Sequence, residues 1–256
     1  MIVSVTNQKG GVGKTTTAVN LGSCLAEKGR RTLIIDMDPQ ANASLGVGID
    51  VYRQNRTMYD VLIEERPFQE VVCETAQENL LLAPSHLDLS SADIMLANAL
   101  DRPFILRRAL APVADDYDFI LIDCPPALNV LTINSLMAAS HIIIPLESKF
   151  YALAGMAKLS ETVANIKAKL DHDLQLLGVL VTMYDTRTNV HKTIYDQITN
   201  YFGQKVFRTI IRVNIALSEA EIAHKPIILH NANSHGAEDY RSLAEEILNV
   251  TAVQTG

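Results

Sequence analysis

Short runs of nearly continuous Ile, Leu and Val recur along the chain, separated by stretches with helical periodicity. The runs predict strands at residues 2–7, 32–36, 79–84, 119–123, 141–146, 176–182 and 206–211. Several are apolar at every position, which is typical of strands covered on both faces in a parallel sheet. The intervening periodicity predicts helices at 14–28, 103–114, 154–170, 190–202 and 236–249. The least regular stretch, 48–75, has room for a short helical insertion.

This alternation of strands and helices predicts a particular class of fold. Right-handed crossovers between parallel strands produce an α/β, doubly wound, mostly parallel sheet with helices on both faces. No internal repeat, low-complexity tract or linker interrupts the pattern. We therefore expect a single domain spanning residues 1–256.

Composition and charge narrow the classes of protein. The hydrophobic content of 48% is ample for a large core, and with 5% aromatic residues that core is mainly aliphatic. The chain opens on an apolar strand without a basic leader, and no apolar stretch approaches the roughly 18 residues of a spanning helix. The three scattered cysteines form no pair motif, so we expect them reduced and buried in a cytoplasmic protein. The net charge of −7 argues against a general polycation, although it leaves room for a local basic patch.

The segment NQKGGVGKTTT, residues 7–17, lies between the first predicted strand and the first predicted helix. Its glycines let the backbone wrap around a phosphate chain, and the following helix presents its positive end. Lys14 is suited to the β- and γ-phosphates, and the hydroxyl of Thr15 to Mg²⁺. The strict phosphate-loop pattern requires glycine where Gln8 stands, so the match is either accidental or a variant loop with its own use for Lys9. The predicted nucleotide-binding residues of the loop are Lys9, Gly10, Gly11, Val12, Gly13, Lys14, Thr15 and Thr16.

Acidic residues stand at the ends of two predicted strands. Asp36 ends the second strand, and Asp38 follows at period-two spacing, which directs both carboxylates to one side. Asp123 ends the apolar run FILID, the position of a carboxylate that holds Mg²⁺ or its water shell. Ligands bind beyond the carboxyl ends of the strands in such sheets, so the loop and the acids share one edge.

Five segments together carry a family resemblance over about residues 1–250: KGGVGKTT, IIDMDPQAN, FILIDCPPALNVLTINSL, YALAG and LGVLVTMYDTRT. The sequence resembles the ParA/Soj group of deviant Walker A ATPases, which are P-loop NTPases. That group lacks the first glycine of the loop and carries a signature lysine, here Lys9. The resemblance implies that Lys9 crosses the interface of an ATP-bound homodimer and contacts the partner subunit's nucleotide phosphates.

The same resemblance implies further site residues, with ATP and Mg²⁺ as the ligands. Asp38 would orient the attacking water, with Asp36 as a nearby support. A side chain at Gly10 would obstruct dimer closure. The segments at Met183 and Asn214 would frame the adenine.

Members of this group bind DNA nonspecifically as ATP dimers, and a partner protein stimulates hydrolysis and releases them. The resemblance therefore implies nucleoid association, a ParB-like or McdB-like activating adaptor, and a moved or spaced cargo. Residues 187–212 are locally basic, and the candidate DNA-binding residues are Arg187, Arg208 and Arg212. Val213 and Ala216 replace the proline and arginine that partition-type relatives carry near Asn214. A chromosome, a plasmid or a protein organelle such as the carboxysome, the cargo of McdA proteins, thus stays open.

Two alternatives compete with this interpretation. A membrane-binding relative of the MinD kind would need a basic amphipathic tail, whereas residues 244–256 are acidic and then neutral. A metabolic or metal-cluster-delivery P-loop ATPase of the same superfamily would need a substrate motif or a Cys-x-x-Cys pair. The sequence shows neither, and we expect no membrane binding.

Overall fold

A seven-stranded sheet forms the centre of the protein in the computed structural model, which describes residues 1–149 and 172–254. In chain order the strands are β1 (Ile2–Val5), β2 (Thr32–Asp36), β3 (Cys73–Glu74), β4 (Leu80–Ala83), β5 (Phe119–Asp123), β6 (His141–Glu147) and β7 (Gln175–Thr182). Their order across the sheet is β3-β4-β2-β5-β1-β6-β7. All neighbours pair in parallel except β3, a short antiparallel edge strand on β4.

Helices connect the strands and cover the sheet. The described α-helices are α1 (Lys14–Glu27), α2 (Asn42–Gly46), α3 (Met58–Leu62), α4 (Ala92–Met95), α5 (Ile105–Leu110), α6 (Val130–Ala138), α7 (Asn189–Phe202), α8 (Ile215–Ile222), α9 (Ile227–His230) and α10 (His235–Gln254). None of them is long and apolar enough to cross a membrane.

Successive residues of the central strands enter different hydrophobic cores. Ile120 and Ile122 of β5 pack into the core that α3, α5 and α6 help to form. Leu121, between them, packs into the core that contains residues of α1 and α10. Because neighbouring side chains of a strand point to opposite faces, the sheet is covered on both sides. The predicted doubly wound α/β fold is confirmed.

The predicted strand at 206–211 is wrong. This segment pairs with β7 only intermittently: the N–H groups of Phe207 and Ile211 donate to the carbonyls of Val179 and Val181, at 3.0 and 2.9 Å. The bridges from Val206 to Val179 and from Arg212 to Tyr184 are isolated ones. The main-chain N–H groups of Arg208 and Thr209 donate to the carboxylate of Glu246 in α10, at 2.7 and 2.9 Å. Because these donors are occupied by a helix side chain, the segment does not extend the sheet.

The helix predictions were uneven. The helix at 103–114 is wrong as one element: it consists of a 3-10 turn at Arg102–Phe104, helix α5, and a second 3-10 turn at Ala114–Asp116. Pro112 explains the break, because proline and the residue before it both disfavour a continuing helix. The helix at 154–170 lies outside the described residues. The short insertion expected within 48–75 is present as α3.

Helix α6 was not predicted from the sequence. Its residues are nearly all buried, so no polar face reveals the helical period. Its start is marked by Asn129, whose side chain accepts from the N–H of Thr132.

The prediction that all three cysteines are buried is wrong for Cys73, which is only half-buried, whereas Cys24 and Cys124 are buried.

Gly178 in β7 provides a test of the packing between β7 and the segment that follows α7. A Cβ atom added there would lie 2.5 Å from the ring of Phe207, which is buried. We expect Gly178→Ala to lower the free energy of unfolding by about 1–3 kcal/mol, because overpacking forces a shift of the ring. Urea denaturation measures this change.

The control is Gly178→Ala combined with Phe207→Leu, compared with Phe207→Leu alone. If the ring is the obstacle, alanine at 178 should cost much less in the background that carries Phe207→Leu. An equal cost in both backgrounds would contradict the packing described here.

Candidate functional site

The glycine-rich loop between β1 and α1 is shaped by two left-handed glycines. Gly11 and Gly13 have φ angles of 71° and 86°, a region that other residues rarely adopt. Val12 between them is buried, and its carbonyl accepts a 2.9 Å hydrogen bond from the hydroxyl of Thr182 at the end of β7. This bond anchors the loop to the sheet, at the N-terminal end of a 14-residue helix. The geometry is that of a cradle for phosphate groups.

Lys14, the first residue of α1, places a cation inside this cradle. Its side chain is buried, and its Nζ donates to the carbonyl of Lys9 at 3.3 Å. Burial lowers the pKa of Lys14, while the nearby carboxylate of Asp123 acts in the opposite direction. An anion bound at the loop would favour the charged ammonium.

Thr15 and Asp123 form the part of the site suited to a metal ion. The Thr15 hydroxyl donates to Asp123 Oδ2 at 2.7 Å, and Asp123 Oδ1 is buried without a hydrogen-bond partner in the described part of the chain. Burial raises the pKa of Asp123 well above its usual range, and the charge of Asp36, its register partner in β2, raises it further. A divalent cation would compensate this buried charge, and hydroxyl and carboxylate oxygens are ligands that Mg²⁺ accepts. These residues therefore fit Mg²⁺.

Asp36 is a structural carboxylate that positions the turn after β2. Its Oδ2 accepts from the N–H and the hydroxyl of Ser44, at 2.8 and 2.7 Å. Its Oδ1 accepts from the N–H of Asp38 at 3.1 Å. Burial raises the pKa of Asp36 to about 6, although these hydrogen bonds oppose the shift. Asp38 is partly exposed, and it lines the cleft above the loop.

Lys9 lies at the rim of the loop and is held by a carboxylate of its own subunit. Its Nζ donates to Glu147 Oε2 at 2.8 Å, and Lys149 binds the other oxygen of Glu147 at 2.5 Å. Burial alone would raise the pKa of Glu147, but the hydrogen bonds from Lys149 and Lys9 outweigh it and lower that pKa. The Lys9 side chain remains 51% exposed, so it points away from the interior that Lys14 occupies.

Two adjoining clefts run along the carboxyl edge of the sheet. One, of about 280 Å³, is lined by Gly10, Lys14, Asp38 and Pro126. The other, of about 460 Å³, lies towards the end of β7 and is lined in part by Asn214 and His191. They share Gly13, Thr16, Met183 and Glu221, so they form one groove. Its dimensions suit a triphosphate at one end and a nucleoside at the other.

The three predicted DNA-binding arginines lie in different surroundings. Arg187 is 84% exposed and pairs with Asp185 at 2.8 Å, and Arg208 is exposed. Arg212 instead lines the larger cleft, where its guanidinium donates to Asp239 Oδ1 at 2.9 Å and to Glu238 Oε2 at 2.7 Å. Arg212 is therefore a structural cation that joins the segment after Phe207 to α10, and it is not free to bind phosphates outside the protein.

Several residues of the site were not predicted from the sequence. Ser44 binds the buried Asp36, Glu147 binds Lys9, and Ser148 and His191 meet beside the larger cleft. A polar residue directly after an apolar strand, as at Glu147 and Ser148, was the available signal. No sequence signal marks Ser44 or His191, because their importance comes from contacts with residues that are distant in sequence.

Comparison with known proteins agrees with this geometry. A family model described as an AAA domain matches residues 1–176. The sporulation initiation inhibitor protein Soj of Bacillus subtilis is 45% identical over 246 residues, which are 96% of this chain and 97% of Soj. The chromosome partitioning protein ParA of Myxococcus xanthus is 44% identical over 247 residues, 96% of this chain and 87% of ParA.

A solved structure supports the ligands. Cobyrinic acid a,c-diamide synthase from Mycobacterium smegmatis, crystallised with ADP and magnesium, has a TM-score of 0.84 and 33% identity. The match covers 96% of this chain and 93% of that one. The fold, the phosphate loop and the full-length similarity lead to one conclusion: the chain belongs to the ParA/Soj family of P-loop ATPases, and it hydrolyses ATP with Mg²⁺.

Proposed function

We propose that this ATPase is a switch that forms a homodimer on binding ATP, binds DNA without sequence preference, and positions a cargo. A ParB-like or McdB-like adaptor stimulates hydrolysis and resets the switch. The position of Lys9 is the observation on which the proposal rests. The interior of the phosphate cradle already has its own cation, Lys14, whereas Lys9 stands half-exposed at the rim. A rim cation of this kind is suited to the phosphates of a second subunit.

Within one subunit, four residues divide the work of hydrolysis. Lys14 binds the terminal phosphates, and Thr15 and Asp123 hold Mg²⁺, which neutralises developing charge on the phosphates when bound. Asp38 orients the attacking water, because its partly exposed carboxylate lines the phosphate end of the groove. Asp36 is too buried and too fully bonded for that role, and it fixes the turn that carries Asp38.

The proposed DNA-binding surface consists of Arg187 and Arg208, which are exposed near the carboxyl half of the chain. Position 216, where partition-type relatives carry an arginine, is occupied here by an alanine that is 9% exposed and packed in the core. Any contact with DNA must therefore come from other residues. Nonspecific binding of this kind would place the ATP-bound protein on the nucleoid.

The relatives named Soj and ParA favour a chromosome or plasmid partition complex as the cargo. The departures at Val213 and Ala216 favour a protein cargo, such as the carboxysome moved by McdA-type members. Purification of partners by affinity to the ATP-bound dimer separates these candidates: a centromere-binding protein supports partition, and an organelle adaptor supports the second.

A metabolic role is the competing function, and the structural similarity to cobyrinic acid a,c-diamide synthase is the observation that favours it. The two functions differ in what accelerates ATP turnover. A switch responds to DNA together with an adaptor, whereas a synthase responds to its small-molecule substrate. Stimulation by cobyrinic acid and an amide donor, but not by DNA and adaptor, would replace our proposal.

Asp38→Ala should separate nucleotide binding from hydrolysis. We expect ATP affinity within about threefold of the parent, because the phosphate cradle is intact, and turnover reduced roughly 100-fold or more. Single-turnover hydrolysis and equilibrium nucleotide binding measure the two effects.

Asp38→Asn is the matched control, because an amide oxygen can still accept from the N–H of Gln40, as Asp38 does at 2.9 Å. It should be as slow as the alanine variant if the carboxylate itself is needed. Parental turnover in either variant would remove Asp38 from the reaction.

Lys9→Ala should bind ATP as a monomer and fail to dimerise. Gly10→Val should do the same for a different reason, since a Cβ at Gly10 meets no atom within 4 Å among the residues of its own subunit that the structure describes. An obstruction at Gly10 must therefore come from a second subunit. Sedimentation with a slowly hydrolysed ATP analogue measures the association.

Glu147→Gln serves as the control, because it removes the negative charge that pairs with Lys9 in its own subunit while keeping the lysine. This variant should still dimerise. ATP-dependent dimers of both Lys9→Ala and Gly10→Val would refute the role of Lys9 across the interface.

The ATP-locked Asp38→Ala dimer should bind random duplex DNA, with the logarithm of affinity falling against the logarithm of salt at a slope of about −4. This slope corresponds to two arginines per subunit, at about −0.9 per neutralised phosphate. Arg208→Ala should weaken binding and flatten the slope by about 2 for the dimer, without changing dimerisation.

Arg53→Ala provides the control for Arg187→Ala, since Arg53 is 86% exposed and pairs with Asp50 much as Arg187 pairs with Asp185. Only the variant at 187 should weaken binding. If the ATP-bound dimer does not bind DNA at low salt, the proposed DNA-binding role is refuted.

A further inference from the structure

The wall of the larger cleft contains a residue in an uncommon backbone conformation. Met183, just beyond the end of β7, has a φ of 52°, in the left-handed region, and is 38% exposed. A non-glycine residue keeps such a conformation where its surroundings enforce it, and residues of this kind are enriched at functional sites. Met183 belongs to both clefts of the groove, at the junction between the phosphate end and the nucleoside end.

The main chain on the far side of Met183 is fixed by the segment after Phe207. The N–H of Tyr184 donates to the carbonyl of Ile211 at 3.0 Å, and the N–H of Val213 donates to the carbonyl of Tyr184 at 3.1 Å. These bonds occupy the N–H and the carbonyl of Tyr184. The carbonyl of Met183 and the N–H of Asp185, the other halves of the same two peptide groups, are bound by side chains.

Ser148 and His191 contact the carbonyl of Met183 and the N–H of Asp185. The Ser148 hydroxyl lies 3.1 Å from the carbonyl of Met183 and 2.6 Å from Nδ1 of His191. The N–H of Asp185 donates to the same Nδ1 at 3.1 Å. Ser148 is buried, and the ring of Tyr184 packs edge-on against the imidazole with centroids 5.8 Å apart. With Nδ1 accepting from Asp185, the single Ser148 proton is shared between the carbonyl of Met183 and Nδ1, so the two side chains together bind both ends of the turn Met183–Asp185.

The N–H of Asp185 determines which ring nitrogen of His191 carries the proton. A main-chain N–H can only donate, so Nδ1 must accept, and the ring proton of the neutral imidazole lies on Nε2. An apolar replacement would leave the N–H of Asp185 without its acceptor. An asparagine would supply an oxygen near the position of Nδ1.

We propose that His191 and Ser148 are positioning residues for the base of the bound nucleotide. They hold Met183 in its left-handed conformation and so shape the nucleoside end of the groove, and their side-chain hydrogen bonds go to the turn and to each other, not to the phosphate loop. Since the chain is an ATPase whose triphosphate sits at the loop, the base of ATP must lie in the cleft that Met183 and His191 line. The inference concerns nucleotide binding alone and does not require a dimer or DNA.

The test compares Mg-ATP with inorganic tripolyphosphate, a ligand that has the phosphates but no base. We expect His191→Leu to raise the dissociation constant for Mg-ATP roughly tenfold, as for a lost buried hydrogen-bond partner, and to leave that for tripolyphosphate unchanged. Ser148→Ala should shift the ATP constant in the same direction. His191→Asn should bind ATP within about twofold of the parent. Calorimetric titration and competition measure both ligands.

His86→Leu is the matched control, because His86 caps a 3-10 turn after β4 and lines neither cleft. Equal ATP affinity in His191→Leu and the parent would overturn the proposal. An equal loss of ATP and tripolyphosphate binding would also overturn it, since that result indicates general damage. If His191→Leu does not fold, Ser148→Ala decides, and the absence of a split between the two ligands refutes the inference.

Discussion

The register between β2 and β5 is the constraint on which the site depends. It places Asp36 and Asp123 opposite each other at the buried carboxyl edge of the sheet. Two buried carboxylates on register partners of adjacent strands cannot both ionise without compensation. The chain supplies different compensation for each: Ser44 and the N–H of Asp38 bind Asp36, and Thr15 binds one oxygen of Asp123. The remaining oxygen of Asp123 is what makes this edge suitable for a metal ion.

The same edge joins distant parts of the chain into one groove. Val12 of the loop is bonded to Thr182 of β7, and the turn after β7 is bonded to Ser148 beyond β6. A nucleotide in the groove therefore contacts elements whose relative positions are set by the sheet, and rigid placement of this kind favours precise binding of a ligand. The loop and the turn differ in what determines their shape. Glycines determine the shape of the loop, and side-chain hydrogen bonds determine the shape of the turn.

Much of this was predictable from the sequence, and the failures have physical causes. Apolar strands and the glycine-rich loop are local signals, so six strands and the position of Lys14, Thr15 and Asp123 followed directly. Residues 206–211 look like a strand, but Glu246, which is 38 and 37 positions from the two donors, takes their N–H groups. Arg212 looks like a surface cation, but Asp239 and Glu238 neutralise it in the fold. The sequence reports the chemistry of a residue, whereas its partner depends on tertiary structure.

The ion pair between Lys9 and Glu147 has a consequence for the reversibility of assembly. A lysine that leaves Glu147 to reach another subunit exchanges one charged contact for another, so the net gain in free energy is smaller than the new contact alone suggests. In the proposed dimer, phosphate release would let the lysine return to the carboxylate of Glu147 in its own subunit. Such a dimer would dissociate readily, because the lysine has a counter-charge in both states.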